Sequence, residues 1–230
     1  MIFEKFKVLG IMSGTSLDGV DFAVVDFQLI NNIWSFKIKE TKTFSYPKEW
    51  FEKLKFAAKL PANEIVFLNE AYTKYLNELI HQFINDNNVE GLDAIASHGH
   101  TILHNPKAGY TLQIGNLQSL KNNIDCPIIC DFRVQDVKLG GQGAPLVPIG
   151  DRFLFSNYDF CLNLGGFSNI SFERDGERIA FDICPVNTVL NYYANKINLE
   201  YDADGKVAQL GQVSFDLLKQ LNANPFFSKS

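Results

Sequence analysis

The segment from Gly10 to Asp21 combines residue types that could hold a phosphate group. It reads Gly-Ile-Met-Ser-Gly-Thr-Ser-Leu-Asp-Gly-Val-Asp and lies between two apolar stretches. Gly14 and Gly19 permit backbone turns that a Cβ would block, so successive N–H groups can converge on an anion. Three hydroxyl side chains add further donors, namely Ser13, Thr15 and Ser16. The composition therefore indicates an anion-binding loop.

The two glycines have the spacing of a Walker A loop, but the segment is not one. Val20 stands where that loop needs a lysine. The apolar stretches on both sides predict a β-hairpin rather than a strand followed by a helix. Asp18 and Asp21 would then be placed to face a magnesium ion. A serine- and glycine-rich turn without a ligand is the alternative that these residues leave open.

Three histidines form a second group with chemical potential. On an unbroken strand His98, His100 and His104 would share a face, as a metal site requires. A metal-dependent hydrolase is therefore an alternative function. Gly99 and Pro106 would interrupt such a strand, so we favour histidines that do not bind a metal.

Arg133 is the cation best placed to bind an anionic ligand. It follows an apolar stretch, residues 127–132, that has the composition of a buried strand. A guanidinium group in this position could form a bidentate pair with a carboxylate. Internal ion pairs with Asp131 or Asp136 are the alternative, and the two roles can coexist.

Asp182 is the candidate for general acid–base chemistry. It ends a predicted strand, residues 179–181, ahead of a helix that begins near Asn187. A carboxylate there can point into a cleft and accept a proton. The alternative is a carboxylate that accepts hydrogen bonds from N–H groups of the following loop.

The elements that would position these residues follow from hydrophobic periodicity. Alternating apolar positions predict three antiparallel strands in the first 45 residues, with a tight turn at Asn31 and Asn32. A helix from Pro47 to Leu60 and a longer one from Pro61 follow. The apolar stripe of the longer helix, which comprises Ile65, Leu68, Tyr72, Tyr75, Leu79 and Phe83, predicts core packing. Strands at 93–97, 110–114 and 127–132 complete a mixed sheet with helices on its faces.

A second unit is predicted to begin near Pro148. It has a strand at 158–164, a hairpin around Asp175 and Gly176, and a helix at 188–196. This order repeats that of the opening segment, and Gly165 and Gly166 occupy the position of the first phosphate turn. Two lobes, 1–147 and 148–230, would then clamp a phosphate chain between them.

Composition narrows the class of ligand. The 230 residues carry a formal net charge of −5 without a cluster of lysine and arginine, which argues against a nucleic-acid partner. The apolar segments are too short for a membrane span, and the N-terminus lacks a signal-peptide core. We therefore expect a cytoplasmic protein that acts on a small molecule.

Seven ordered motifs resemble those of the anhydro-N-acetylmuramic acid kinases. After the opening segment come Ala96-Ser-His-Gly-His-Thr-Ile-Leu-His104, Thr111-Leu-Gln-Ile-Gly115, Asp131-Phe-Arg-Val-Gln-Asp136, Gly140-Gly-Gln-Gly-Ala-Pro-Leu-Val-Pro148, Asn163-Leu-Gly-Gly166 and Phe181-Asp182. The resemblance implies an α/β fold of the sugar kinase, Hsp70 and actin superfamily. In that fold, two ribonuclease-H-like lobes with mixed sheets flanked by helices surround an interlobe cleft.

The resemblance also implies an activity. Family members open the internal ether of the anhydro sugar with water and phosphorylate the freed oxygen with ATP, giving N-acetylmuramic acid 6-phosphate. This is a cytoplasmic step of peptidoglycan recycling. Magnesium is the implied helper ion, and a homodimer is the implied assembly.

By resemblance, each site residue has a role. Asp182 is the general base, and Arg133 pairs with the lactyl carboxylate of the sugar. His98, Thr101 and Asn187 contact the substrate. The nucleotide is bound by Gly14, Thr15, Ser16, Leu17, Asp18, Gly19, Val20, Asp21, Gly165 and Gly166, with Asp18 at the metal.

The chain also departs from the family pattern. His100 stands where glutamine is usual, Asn116 where aspartate is usual, and Asn191 ends a motif that commonly ends in aspartate. The last six residues, from Pro225, resemble the opening of a motif that continues in the family. We therefore expect an incomplete second lobe and hold open a truncated, non-catalytic sugar-binding domain.

Overall fold

The computed structural model describes residues 3–14, 17–144 and 146–228. A six-stranded mixed sheet opens the chain. Its strands are β1 (Phe3–Ser13), β2 (Val20–Ile30), β3 (Ile33–Phe44), β4 (Ala94–Asn105), β5 (Tyr110–Ile114) and β6 (Ile128–Ile129). The order is β3-β2-β1-β4-β5, and β6 pairs with β4. β1 to β3 form an antiparallel meander, whereas β4 runs parallel to β1. This is the arrangement expected of a ribonuclease-H-like lobe.

Four helices accompany this sheet: α1 (Lys48–Phe56), α2 (Ala62–Asp86), α3 (Phe132–Lys138) and α4 (Val147–Leu154). The apolar stripe of α2 packs in one cluster with sheet residues, and Tyr72, Phe83, Leu9 and Phe22 are almost fully buried in it. The predicted α/β class, with a mixed sheet flanked by helices, is therefore confirmed.

The predicted meander is also confirmed. Asn31 and Asn32 have φ of 50° and 67°, the left-handed pair that a two-residue hairpin of this type requires. Phe22 and Val24 lie in the core, while Ala23 and Val25 on the opposite face are only partly buried. The alternation of residues along β2 predicted this difference in burial, because one face of the sheet is covered more completely than the other.

Two predicted elements have different bounds. The strand predicted at 93–97 continues through Gly99 to Asn105. The strand predicted at 127–132 is reduced to two residues, and α3 begins at Phe132. Asp131 has φ of 56°, a left-handed conformation that ends the extended chain. Arg133 therefore lies in the first turn of a helix and not directly after a strand.

The remaining strands are β7 (Phe160–Leu164), β8 (Phe167–Arg174) and β9 (Glu177–Pro185), in the order β7-β8-β9. Asp175 and Gly176, with φ of 54° and 83°, form the predicted hairpin turn. Helices α5 (Asn187–Lys196), α6 (Lys206–Leu210) and α7 (Phe215–Asn222) follow. No helix in the described part of the chain is both long enough and apolar enough to cross a membrane.

The chain divides into two compact units. One comprises Met1–Cys161 with Ser171–Phe181, and the other comprises Leu162–Ile170 with Asp182–Ser230. Side-chain contacts explain why the hairpin segment 171–181 belongs with the first unit. Arg178 donates to Ser171, Ser171 donates to Asp151 of α4, and Arg178 lies 3.8 Å from the Asp151 carboxylate. The predicted lobe boundary near residue 148 stays a prediction.

Candidate active site

The predicted phosphate turn joins β1 to β2. Of its residues Gly14, Leu17, Asp18 and Gly19 are described, whereas Thr15 and Ser16 lie outside the described residues. The Leu17 amide donates to the Gly14 carbonyl over 3.3 Å. Gly19 approaches the Phe44 carbonyl so closely that a Cβ would collide with it. A glycine is therefore required here by close packing as well as by turning.

The other residues predicted for the nucleotide contribute differently. The Val20 side chain is fully buried in the core, so only its backbone could meet a ligand. The Asp21 carboxylate accepts a hydrogen bond from Thr43 of β3 at 2.6 Å. Burial raises the pKa of Tyr46, and the negative charge of Asp18 adds to this effect. Asp18 therefore lies near Tyr46.

The residues of this turn suit a magnesium ion held chiefly by phosphate oxygens. Within the described ranges, no three His, Cys, Asp or Glu side chains are grouped closely enough to enclose a metal. Magnesium commonly binds through one or two carboxylates together with phosphates and water. Asp18 can supply one such carboxylate, so its predicted metal role is compatible with the chemistry of this hairpin.

A chain of hydrogen bonds runs beneath the hairpin. His100 Nδ1 lies 2.8 Å from Ser13 Oγ, which lies 2.7 Å from the Tyr46 hydroxyl, and this hydroxyl lies 2.5 Å from the Tyr72 hydroxyl. We name these four residues the polar core chain. Burial, with a smaller effect from His98, lowers the pKa of His100 to about 4. The imidazole is therefore neutral at neutral pH.

The three histidines do not converge. Gly99 has φ of 69°, and the pairing of β4 with β1 shifts register here. His100 therefore turns into the core, whereas His98 faces Arg133 and His104 bonds to Thr111 at 3.0 Å. The shared face expected of an unbroken strand does not form, so the structure does not support the metal-dependent hydrolase.

Arg133 is held by a histidine rather than by a carboxylate. Its Nε donates to His98 Nε2 over 2.9 Å. Asp131 instead accepts from Asn116, and Asp136 accepts from the Gly143 amide. Among the described residues neither aspartate forms an ion pair with Arg133, so the alternative role as an internal salt bridge is not supported. The terminal nitrogens of the guanidinium remain for a ligand.

Polar side chains also pair across β4 and β5. Thr101 lies opposite Gln113 in the antiparallel pair. The Gln113 amide nitrogen donates to Thr111 at 2.8 Å and to Thr101 at 3.3 Å. Sequence reasoning did not select Gln113 as a site residue, although its position between two apolar residues of β5 was a signal. The Gln113 side chain is buried, so its amide supports the pairing of β4 with β5 from within.

In the second unit, the turn of Gly165 and Gly166 caps helix α5. The Gly166 carbonyl accepts from the Val186 and Thr188 amides, and the Gly165 carbonyl accepts from the Asn187 amide. The Asn187 side chain donates to the Leu164 carbonyl at 2.9 Å. These bonds satisfy N–H groups that a helix start leaves unpaired. The carbonyls are therefore engaged, and only the N–H groups of this turn could face phosphate.

Asp182 lies within β9 and is exposed. The strand was predicted to end at Phe181, but it continues to Pro185, because the chain stays extended until the α5 cap begins. In the described part of the chain, its carboxylate has no hydrogen-bond or ion-pair partner. The alternative, in which it accepts from the following loop, is therefore not supported, and its role as a base stays a prediction.

Comparisons with known proteins agree with the motifs. The family model described as anhydro-N-acetylmuramic acid kinase matches residues 6–230. A protein of that name from Hydrogenovibrio crunogenus is 37% identical, with 95% of this chain and 61% of the relative covered. One from Haemophilus influenzae is 36% identical, with 96% and 59% covered. The chain thus spans about three fifths of the length of these relatives.

Solved structures give a weaker likeness. An Aquifex aeolicus member of the Ppx/GppA family has a TM-score of 0.36 and 12% identity, with 82% of this chain and 54% of that chain covered. YeaZ from Pseudomonas aeruginosa has a TM-score of 0.25, with 79% and 68% covered. Such scores carry no argument about this chain. The match to the family model and the identity to these relatives show that the chain belongs to the anhydro-N-acetylmuramic acid kinase family.

Proposed function

We propose that the protein is an ATP-dependent kinase that opens anhydro-N-acetylmuramic acid with water and phosphorylates it to N-acetylmuramic acid 6-phosphate. The reaction would serve peptidoglycan recycling in the cytoplasm. The observation that carries the proposal is a family match over residues 6–230 in a chain whose Arg133 guanidinium is held through its Nε by His98. A homodimer is part of the proposal and is tested by sedimentation.

The sugar is bound by the surface around Arg133. Its terminal nitrogens pair with the lactyl carboxylate, since planar guanidinium and carboxylate groups match in two parallel hydrogen bonds. Thr101 is proposed to offer its hydroxyl to the sugar. Asn187 completes the proposed set of substrate residues, and His98 belongs to it through its bond to Arg133.

ATP is bound through backbone N–H groups of the turn that contains Gly14, Leu17 and Gly19, and Gly165 and Gly166 stay predicted as further nucleotide residues. The carboxylate of Asp18 holds magnesium, which when bound neutralises charge on the phosphates. Donors that are fixed in place before the reaction stabilise the developing charge without a cost of reorganisation.

Asp182 supplies the base. The sugar has an internal ether in place of a free six-position hydroxyl, so oxygen must reach the anomeric carbon as the ether opens. The Asp182 carboxylate accepts a proton from water, and the water oxygen bonds to that carbon. The ether oxygen leaves the carbon and attacks the γ-phosphorus, and ADP departs. Every bond broken is thereby matched by one formed.

The test is turnover by the protein expressed from its complete reading frame. Anhydro-N-acetylmuramic acid, ATP and magnesium should give ADP and the sugar phosphate in equal amounts, as measured by mass spectrometry. Omission of the sugar should abolish ADP release. ADP formation without sugar phosphate, or no reaction with a sugar that binds, contradicts the proposal.

A sugar-binding domain without kinase activity is the second candidate. Thr101 and Arg133 both lie in the first compact unit, so that unit by itself holds the residue proposed to bind the carboxylate. Calorimetry with the sugar alone separates the two candidates, because saturable binding without turnover supports the second.

A further inference from the structure

The contact between Arg133 and His98 restricts how the arginine can bind an acid. Arg133 Nε lies 2.9 Å from His98 Nε2, within the normal range for a hydrogen bond. A guanidinium can offer a carboxylate either its Nε edge or its two terminal nitrogens. Because His98 occupies the Nε edge, the terminal pair remains for the ligand.

The same contact fixes the tautomer of His98. Arginine has donors only, so His98 Nε2 must be the acceptor and carry no proton. The proton then lies on Nδ1, which is 3.0 Å from the Gly99 carbonyl and donates to it. Both ring nitrogens therefore have protein partners, and neither is left for a direct bond to the sugar.

The backbone that accepts from His98 is itself held in place. Gly99 has φ of 69°, and a Cβ there would lie 2.5 Å from the Ile114 carbonyl. Only glycine fits this left-handed position without strain. The Gly99 carbonyl thus holds the His98 ring, and the His98 ring in turn holds the Arg133 guanidinium.

We infer that His98 is a positioning residue that orients Arg133 for end-on, two-bond capture of the substrate carboxylate, rather than a residue that contacts the sugar. This inference rests on the proposed function for the identity of the acid. It replaces the substrate-contacting role expected of His98 with an indirect one.

The electrostatics of the site favour the required form of the ring. Burial lowers the pKa of His98, and the charge of Arg133 lowers it further, while the bond to Gly99 acts in the opposite direction. The ring is therefore kept in the neutral state that can accept from Arg133. Because His98 restricts the guanidinium before the ligand binds, the side chain of Arg133 loses less conformational entropy on binding.

The first test needs no substrate. Nitrogen-15 spectra of the histidine rings at neutral pH should show His98 protonated on Nδ1 and unprotonated on Nε2. His98→Leu should broaden or shift the Arg133 Nε–H signal through faster exchange with water, whereas His98→Gln, whose amide oxygen can accept at the same place, should retain it. An Nε2-protonated ring, or an unchanged arginine signal in the Leu variant, overturns the inference.

The second test separates positioning from direct contact. His98→Leu should raise KM for the lactyl sugar by roughly tenfold, the scale of a lost hydrogen bond to a charged group, and His98→Gln should recover most of it. KM for an anhydro sugar without the lactyl carboxylate should not change. An equal rise for both sugars indicates direct contact and overturns the inference.

A matched control is His104→Leu. Its ring lies on the same strand but bonds to Thr111, so any effect should be the same for both sugars. If the wild-type protein turns over neither sugar, the proposed function fails. The ring and arginine spectra still decide whether His98 orients Arg133.

Discussion

His100 should make the first unit sensitive to acid. Its imidazole is 2% exposed and bonded to Ser13 within the polar core chain. Its pKa is lowered from 6.5 to about 4, so the folded protein takes up this proton at lower pH than the unfolded chain. The free energy of unfolding must therefore fall as pH drops below 6.5, with no contribution from His100 above that pH.

The size of this effect follows from the two pKa values. Each pKa unit corresponds to about 1.4 kcal/mol, so the interval between 6.5 and about 4 costs about 3 kcal/mol of stability by pH 4. This is a large share of the total for an ordinary domain, about 5–15 kcal/mol. Carboxylates that titrate over the same range affect the wild-type protein and a His100 variant alike, so they cancel in the comparison.

His100→Gln is the informative change. Its amide can still bond to Ser13, but it does not titrate. Urea unfolding between pH 7.5 and pH 4, followed by tryptophan fluorescence, reports on the first unit because Trp34 and Trp50 both lie in it. The variant should gain about 3 kcal/mol on the wild type over this range.

His104→Gln is the matched control. Burial and the charge of Arg133 also lower the pKa of His104, but its side chain is exposed, so this variant should depart from the wild-type pH dependence less than His100→Gln does. The reasoning is refuted if wild type and His100→Gln lose stability in parallel as pH falls. A difference in absolute stability between the wild type and His100→Gln does not affect the test, because only the pH dependence of their free energies of unfolding is compared.

Three further changes test other parts of the site. Ser13→Ala removes the hydroxyl between His100 and Tyr46 and should lower the free energy of unfolding in urea by about 1–3 kcal/mol. Ser35 is exposed, so Ser35→Ala should change this free energy little. Equal losses in the two variants would contradict the polar core chain. Gly19→Ala should weaken ATP binding in calorimetry, because the added methyl group would collide with the Phe44 carbonyl. A Cβ at Gly150 meets only open space, so Gly150→Ala should leave the affinity for ATP unchanged. An unchanged affinity in Gly19→Ala contradicts the phosphate turn. Asp182→Asn should lower the rates of ring opening and phosphorylation together by about a hundredfold or more. Turnover of the wild-type protein in heavy-oxygen water should label the anomeric hydroxyl alone. Label in the phosphate ester bridge contradicts the mechanism.

Local patterns predicted the parts of the fold that depend on neighbouring residues. The meander and α2 follow from alternation and from a helical stripe, because one face of each is buried. The start of α3 could not be predicted, since it depends on one left-handed residue, Asp131, after a run that reads as a strand. The separation of His98 from His100 likewise depends on Gly99 and on the register of β4 against a strand far away in sequence.

The site was predicted unevenly for the same reason. Arg133 was selected from its residue type as the group that binds a carboxylate, with Asp131 or Asp136 as alternative partners, and the structure places its Nε against His98. Sequence distance favoured Asp131 and Asp136, whereas the fold brings β4 to α3. Ser13 was predicted as a phosphate donor, and its bonds to Tyr46 and His100 became visible only once three distant segments were packed together.

The parallel pairing of β1 with β4 has a consequence for how the protein is made. Val8 pairs with Ala94, so about the first hundred residues must leave the ribosome before β1 gains its second neighbour. Until then the meander presents an open edge, which is a template for pairing with other chains. Contacts this distant in sequence also slow folding, because a long loop must close before they form. Synthesis from the N-terminus therefore leaves the strand that leads into the phosphate turn exposed to misassembly until β4 has been made, and conditions that slow translation of the segment before β4 should increase aggregation of this protein.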